Sequence, residues 1–214
     1  YVVKIFDLDG PFQRYGTIVF DVLVLNIVWL LITVFSFGIL SGPALTGLYS
    51  GMYAGVVSGE GYPFKQFFKR FGKRFLTSLL VGLFTMFFVV VSLFNIFLIW
   101  TNQFGSVYIL PFYLFVFIEI SFISTYAFPL LAHSNLKFLD ILKNSFLLAN
   151  KHLPWTVVAS LLNTVAVIVI ALIFLGAVEL FVFMFFGMGI IVWLNSIIIT
   201  KKILTQYDNF INVE

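Results

Sequence analysis

Three long blocks of this chain contain no lysine or arginine. They run from Tyr15 to Tyr62, from Phe75 to Leu136 and from His152 to Thr200, and all 12 basic residues lie outside them. A helix that crosses a membrane needs about 20 consecutive apolar residues. The second and third blocks are therefore each long enough for two spans. This pattern predicts an all-α, polytopic transmembrane helical bundle.

Turn-forming residues divide the blocks into predicted spans near 16–37, 77–100, 107–132, 154–175 and 179–200. The turns in the second and third blocks are predicted at Thr101–Ser106 and at Leu175–Ala177, the latter with Glu179 beside it. The helix in the first block is expected to break at Gly38 and Ser41–Pro43, because glycine and proline disfavour a continuing helix. Two spans in each long block give three hairpins if the first block also returns.

The segment from Ala44 to Gly59 decides between six spans and five. It is short and rich in small residues, so it is either a return span or a helix at the membrane interface. Its four glycines at spacing four, Gly47, Gly51, Gly55 and Gly59, form a smooth helix face. Such a face lets a second backbone approach closely inside a membrane. We therefore predict helix packing at these glycines and favour six spans, with five as the alternative.

Two amphipathic helices are predicted between the hairpins, one near 64–75 and one near 137–153. In the first, phenylalanines recur at helical spacing on one face and cations on the other, which is typical of a helix at a membrane interface. The second carries Leu139, Leu142, Phe146 and Ala149 on one face. The residues of the first helix predicted to contact lipid or a partner are Lys65, Lys69, Arg70, Lys73, Arg74, Phe67 and Phe71.

Charge and composition indicate where the chain resides. It is 62% hydrophobic and 10% charged, which leaves too little charge for a water-facing surface. The net charge of +3 comes from cations at span ends, which fits the positive-inside rule better than nucleic-acid binding. We expect a single domain over residues 1–214 in the cell membrane, multi-pass, with both termini and both amphipathic helices cytoplasmic. Membrane lipid is an expected partner.

Three polar residues are predicted inside the membrane: Asp21 and Asn26 in the first span and Glu119 in another. An ionisable group at this depth is costly and marks a functional candidate. Glu119 is the deepest, with two interpretations: a neutral packing carboxyl bonded to Asn or Ser/Thr groups such as Asn95, Asn163 or Asn195, or a coupling group for protons or substrate. Glu179 is expected at a solvated outer turn.

No sequence motif supports an enzyme. The chain has no cysteine, and its histidines, His133 and His152, have no carboxylate at metal-site spacing. Motifs for zinc hydrolysis, serine hydrolysis and phosphate cradling are absent from the sequence. We therefore expect no catalytic residues, no metal and no cofactor.

Several segments in the first third of the chain resemble the YesL family of small membrane proteins, found mainly in Gram-positive bacteria. They are Phe6–Phe12, Asp21–Trp29, Gly42–Thr46 with Leu48-Tyr49, and Glu60–Tyr62 ahead of the basic helix. The resemblance implies a link to carbohydrate uptake, because such proteins are commonly encoded beside sugar ABC importers. It implies no catalytic residue. The loop at 139–154 lacks the motif by which ABC permeases engage their ATPase, apart from the closing Leu153-Pro154.

These observations lead to one favoured function and two alternatives. The favoured function is a non-catalytic accessory membrane subunit that associates with the permease subunits of a carbohydrate ABC importer. The first alternative is a stand-alone small transporter or channel with Glu119 as its coupling group. The second is a scaffold or assembly factor unrelated to sugars.

Overall fold

The computed structural model describes residues 11–59, 62–101, 107–174 and 181–207, and this part of the chain is helical without any strand. Residues 102–106 and 175–177 of the predicted turns, Glu179, residues 6–10 of the segment Phe6–Phe12 and residues 60–61 lie outside the described residues. The α-helices are α1 (Pro11–Phe35), α2 (Ser41–Met52), α3 (Pro63–Lys73), α4 (Phe75–Trp100), α5 (Leu110–His133), α6 (Phe138–Lys151), α7 (Leu153–Phe174) and α8 (Phe181–Asn195). Wider π-helical turns extend α2 over Tyr53–Val57 and α8 over Ser196–Ile203.

Four helical stretches of the described chain are long and apolar enough to cross a membrane. They are Gly16–Phe35, Phe75–Trp100, Val107–His133 and Phe186–Gln206. The structure therefore supports an all-α membrane protein but establishes neither six spans nor five. α7 contributes a shorter apolar stretch over Leu153–Ala166. α2 has 12 residues and its π-helical extension has five, which is short for a membrane span.

α2 is the central helix of the bundle. It contacts α1, α3, α4, α5 and α8, and its residues from Thr46 to Met52 are all buried. The predicted break before it occurs at Phe37 and Gly38, whose φ angles of 51° and 82° lie in the left-handed region. Such residues commonly end a helix. Ser41–Pro43, which the sequence also assigned to the break, form the first turn of α2 instead.

α3 and the start of α4 run antiparallel to α2 along its glycine face. Gly42 lies against the backbone of Ser78 and Gly82, Gly47 against Phe67, and Gly51 and Gly55 against Pro63. The three glycines Gly47, Gly51 and Gly55 thus pack inside the chain, where the sequence left the approaching backbone unidentified. Gly59 follows the end of this helix, has a φ of +71° and has no atom within 4 Å of an added Cβ. It is not part of the packed face.

The buried face of α6 differs from the predicted one. Its buried residues are Ile141, Ser145, Leu148 and Ala149. Of the predicted face only Ala149 is among them, whereas Leu139 is 74% exposed and Phe146 is 45% exposed. α6 is therefore rotated about its axis relative to the prediction. The reason is that α5 and α7 pack against it, and sequence periodicity does not show which neighbours a helix has.

Candidate functional site

A chain of hydrogen bonds links four helices in the interior of the bundle. Asn195 Nδ2 on α8 donates to Asn163 Oδ1 on α7 at 2.7 Å and to the Tyr49 hydroxyl on α2 at 3.5 Å. Asn163 Nδ2 donates in turn to Thr125 Oγ1 on α5 at 3.1 Å. Tyr49, Thr125 and Asn195 are buried. Because polar groups lack water in such an interior, each bond also fixes how these helices pack.

Asn195 retains an unused acceptor. Its Oδ1 atom is buried and has no hydrogen-bond partner among the described residues. The network therefore has one oxygen that can accept a hydrogen bond from a small polar molecule or an ordered water. No titratable acid or base belongs to it apart from the phenol of Tyr49, so its chemistry is that of hydrogen bonding and not of proton transfer.

Asn26 joins α1 to α8. Its Oδ1 atom accepts a hydrogen bond of 2.7 Å from the backbone N–H of Gly189, and Asn26 is fully buried. A Cβ on Gly189 would lie 3.0 Å from both Asn26 Cβ and the Val22 carbonyl oxygen. Asn26 therefore tethers two closely packed helices. Asp21, five residues earlier on α1, is half-buried.

Glu119 lies near the middle of the membrane stretch Val107–His133 but outside the asparagine network. It is half-buried, and its Oε2 atom is buried without a hydrogen-bond partner among the described residues. The amide donors expected to pair with it bond elsewhere: Asn95 Nδ2 to the Val91 carbonyl oxygen, and Asn163 and Asn195 within the network. The predicted hydrogen bonds from these asparagines to Glu119 are therefore not formed.

The residues of α3 predicted to contact lipid or a partner divide into two groups. Lys65, Lys69 and Lys73 are exposed. Phe67 is fully buried against Gly47, and Arg70 is only 4% exposed. Their side chains therefore contact this chain, since α3 packs lengthwise on α2 instead of lying free on a membrane surface. Phe71 and Arg74 are half-buried.

The segment after α8 contacts the junction between α6 and α7. The Tyr207 hydroxyl lies 3.0 Å from His152 Nε2, and the Lys202 ammonium lies 3.6 Å from the centre of the Trp155 ring. Burial, and then the charge of Lys151, lower the pKa of His152, which keeps its ring neutral near pH 7. The neutral ring can accept a hydrogen bond from the Tyr207 hydroxyl at Nε2. Within the described ranges, no three His, Asp or Glu residues group as metal ligands.

The first part of this bundle matches a known family. Residues 22–96 match the family model described as "Protein of unknown function, DUF624". The DUF624 segment contains most of α1, all of α2 and α3, and α4 almost to its end. It therefore includes Asn26, the packed glycines and the basic helix, whereas Glu119, Asn163 and Asn195 lie beyond it. No curated protein and no solved structure matches the chain.

Sequence reasoning missed two features of the site. It did not include Tyr49 and Thr125 with the asparagines, and it treated Arg70 and Arg74 as surface cations. The sequence signal for the network was the presence of the amide side chains Asn163 and Asn195 in two predicted spans. Which of them meet depends on how the helices are rotated and shifted, and a single sequence does not encode that in a readable pattern.

Proposed function

We propose that this chain is a non-catalytic accessory membrane subunit of a carbohydrate ABC importer, bound to the permease subunits within the membrane. The resemblance of its first third to the YesL family supports this proposal, and so does the DUF624 match at residues 22–96. The chain would be multi-pass with both termini on the cytoplasmic side. Its interior supports a structural role because the network there is built from amides and hydroxyls.

The structural observation that carries the proposal is a helical hairpin with exposed apolar side chains. We define the distal hairpin as residues 86–100 of α4 with residues 107–119 of α5. Large apolar side chains cover it: Phe87, Phe94 and Phe115 are each about 60% exposed, and Trp100 is 82% exposed. Farther along, α5 becomes a core helix, since residues 125–133 are all buried. The distal hairpin therefore offers a long apolar surface on which the helices of a permease subunit can pack.

Quantitative co-purification tests this proposal. The tagged chain is extracted from its host in mild detergent, and the proteins recovered with it are measured by mass spectrometry. We expect the permease and ATPase subunits of a sugar importer to be recovered with the wild-type chain. Recovery of the chain alone or of a homo-oligomer would contradict the proposal.

A pair of matched variants locates the contact. Phe94→Ala with Phe115→Ala trims the distal hairpin, and Phe20→Ala with Phe35→Ala trims positions on α1 that are at least as exposed. All four side chains are exposed, so both variants should be expressed at the wild-type level. We expect the hairpin variant alone to lose most of the importer subunits, because aromatic residues often dominate interface energy. Equal recovery with both variants would exclude the hairpin as the contact.

The alternative function, a stand-alone transporter or channel, is supported by one observation. The Oε2 atom of Glu119 is buried without a partner among the described residues, near the middle of a membrane stretch. A carboxyl in that position is a candidate for proton or substrate coupling. Transport by the purified protein separates this function from that of an accessory subunit.

A further inference from the structure

Two arginines at the junction of α3 and α4 are held by the same connecting segment. Arg70 is 4% exposed, and its Nη1 atom donates a hydrogen bond of 3.3 Å to Asn135 Oδ1. Arg74 Nη2 donates to the carbonyl oxygen of Leu136. Asn135 and Leu136 both lie between α5 and α6. The two guanidinium groups are therefore fixed side by side by one segment of the chain.

These two positive charges have no negative counterpart in the described chain. No carboxylate there lies within ion-pair distance of Arg70 or Arg74. Burial, and next the charge of Arg74, lower the pKa of the Arg70 guanidinium, and burial lowers that of Arg74. Arginine nevertheless stays charged in proteins. An uncompensated buried charge is costly, so a bound anion would stabilise this end of the bundle.

Unused hydrogen-bond donors surround the pair. A guanidinium has five N–H donors, yet each arginine donates one side-chain hydrogen bond within the described residues. The Nε atom of Arg74 is buried and has no hydrogen-bond partner among the described residues. The Ser134 hydroxyl, next to Asn135, is likewise buried without a partner in that part of the chain. Asn135 itself is exposed, which places the pair just behind the protein surface.

We propose that Arg70 and Arg74 form a binding site for a phosphate oxyanion. Two fixed guanidinium groups match the several acceptor oxygens of a phosphate, to which arginine bonds in a bidentate manner. Arg74 directly precedes the membrane stretch Phe75–Trp100. The phosphate of an anionic lipid headgroup lies at that depth in a bilayer, and a soluble phosphate offers the same chemistry.

The site differs from a general basic surface. Lys65, Lys69 and Lys73 on the same helix are exposed, so they interact with any anionic membrane through weak, screened attraction. Arg70 and Arg74 are fixed by hydrogen bonds and partly removed from water, where an anion is bound more strongly. The proposal therefore predicts saturable binding of a defined ligand and a dependence on position as well as on charge.

Native mass spectrometry of the purified full chain in detergent measures this binding. The chain is titrated with phosphatidylglycerol, with phosphatidylcholine and, separately, with inorganic phosphate. We expect one saturable anionic ligand. Binding of phosphatidylglycerol alone would assign the site to lipid, and binding of inorganic phosphate that displaces the lipid would assign it to a soluble phosphate. No saturable binding of either anion would overturn the proposal.

Two variants that each remove one positive charge from α3 test the position. Arg70→Gln should weaken anion binding at least about tenfold, whereas Lys69→Gln should change it by less than about twofold. Equal losses in the two variants would show diffuse attraction and contradict the site.

Arg74→Lys supplies a test that does not depend on the fold tolerating Arg70→Gln. It keeps the charge of a half-buried residue but removes the planar fork. We expect roughly a three- to tenfold loss of affinity in a protein that still elutes as a single species in size-exclusion chromatography. Unchanged affinity would contradict recognition by the guanidinium.

Discussion

A Cβ added to Gly51 would lie 2.9 Å from the carbonyl oxygen of Pro63, which is closer than such atoms approach in folded proteins. The same hypothetical atom would lie 3.1 Å from the side chain of Leu25 on α1. Gly51 is therefore the point at which α1, α2 and the start of α3 meet. α3 packs against the centre of the bundle there, and its position depends on the absence of a side chain at Gly51.

Substitution of Gly51 should destabilise the protein itself. In Gly51→Ala the new methyl group meets backbone, so helices must shift at a cost of about 1–3 kcal/mol. Gly72→Ala is the control, because an added Cβ there has no atom within 4 Å and alanine favours the helix. Thermal stability in detergent, measured by fluorescence-detected size-exclusion chromatography, should fall for the first variant and hold for the second. Equal stability of both would show that α2 and α3 are not packed as described.

The asparagine network predicts a difference in thermal stability between two matched variants, Asn163→Leu and Asn95→Leu. Asn163→Leu removes hydrogen bonds to Asn195 and Thr125, and it should cost about 1–2 kcal/mol. Asn95→Leu is the control within a membrane stretch, since Asn95 bonds, among the described residues, only to the carbonyl oxygen of Val91 on its own helix. The melting temperature in the same detergent assay should therefore be lower for Asn163→Leu than for Asn95→Leu. A larger effect of Asn95→Leu would contradict the network.

The helices themselves could be predicted from the sequence with fair success. Charge-free blocks and apolar runs locate α1, α4 and α5 to within a few residues, because crossing a membrane requires an uninterrupted apolar helix. The basic helix also begins and ends close to its prediction, since its apolar and charged faces alternate at helical spacing. Gly38 marked the end of α1 for a physical reason, namely its left-handed backbone.

The contacts between helices could not be predicted. The sequence indicated both a smooth glycine face and a helix with phenylalanines on one face, predicted to contact lipid or a partner. Nothing in it showed that Gly47 and Phe67 contact each other. The burial of Arg70 was missed for a related reason: a cation on an amphipathic helix is normally solvated, and the sequence does not show that Arg70 is buried and bonds to Asn135. Glu119 was expected to bond to asparagines because they are the amides in other spans, yet those amides bond to each other or to backbone.

Membrane topology provides a third prediction. The chain has no cysteine, so a single introduced cysteine reports its own position. Cysteines at Gln13 and Gln206 should resist a membrane-impermeant thiol reagent in intact cells, because the basic residues near both favour the cytoplasmic side. Val107→Cys, at an exposed position of the distal hairpin, should be labelled and serves as the positive control. Labelling at Gln13 but not at Gln206 would establish five spans.

A substitution at Glu119 distinguishes the proposed accessory-subunit function from the alternative transporter function. Glu119→Gln keeps the shape of the side chain and replaces its carboxyl group by an amide. An accessory subunit does not use this carboxyl for coupling, so we expect the substitution to be mild. Sugar uptake by cells that carry Glu119→Gln should therefore remain near the wild-type rate, measured with radiolabelled sugar.

Solute flux into liposomes that contain only the purified chain tests the central claim most directly. An accessory subunit has no transport activity of its own, so sugar and proton flux should equal that of protein-free liposomes, with and without a pH gradient. Flux above that level in the wild-type protein, lost in Glu119→Gln while the variant remains folded, would contradict the account and establish a stand-alone transporter.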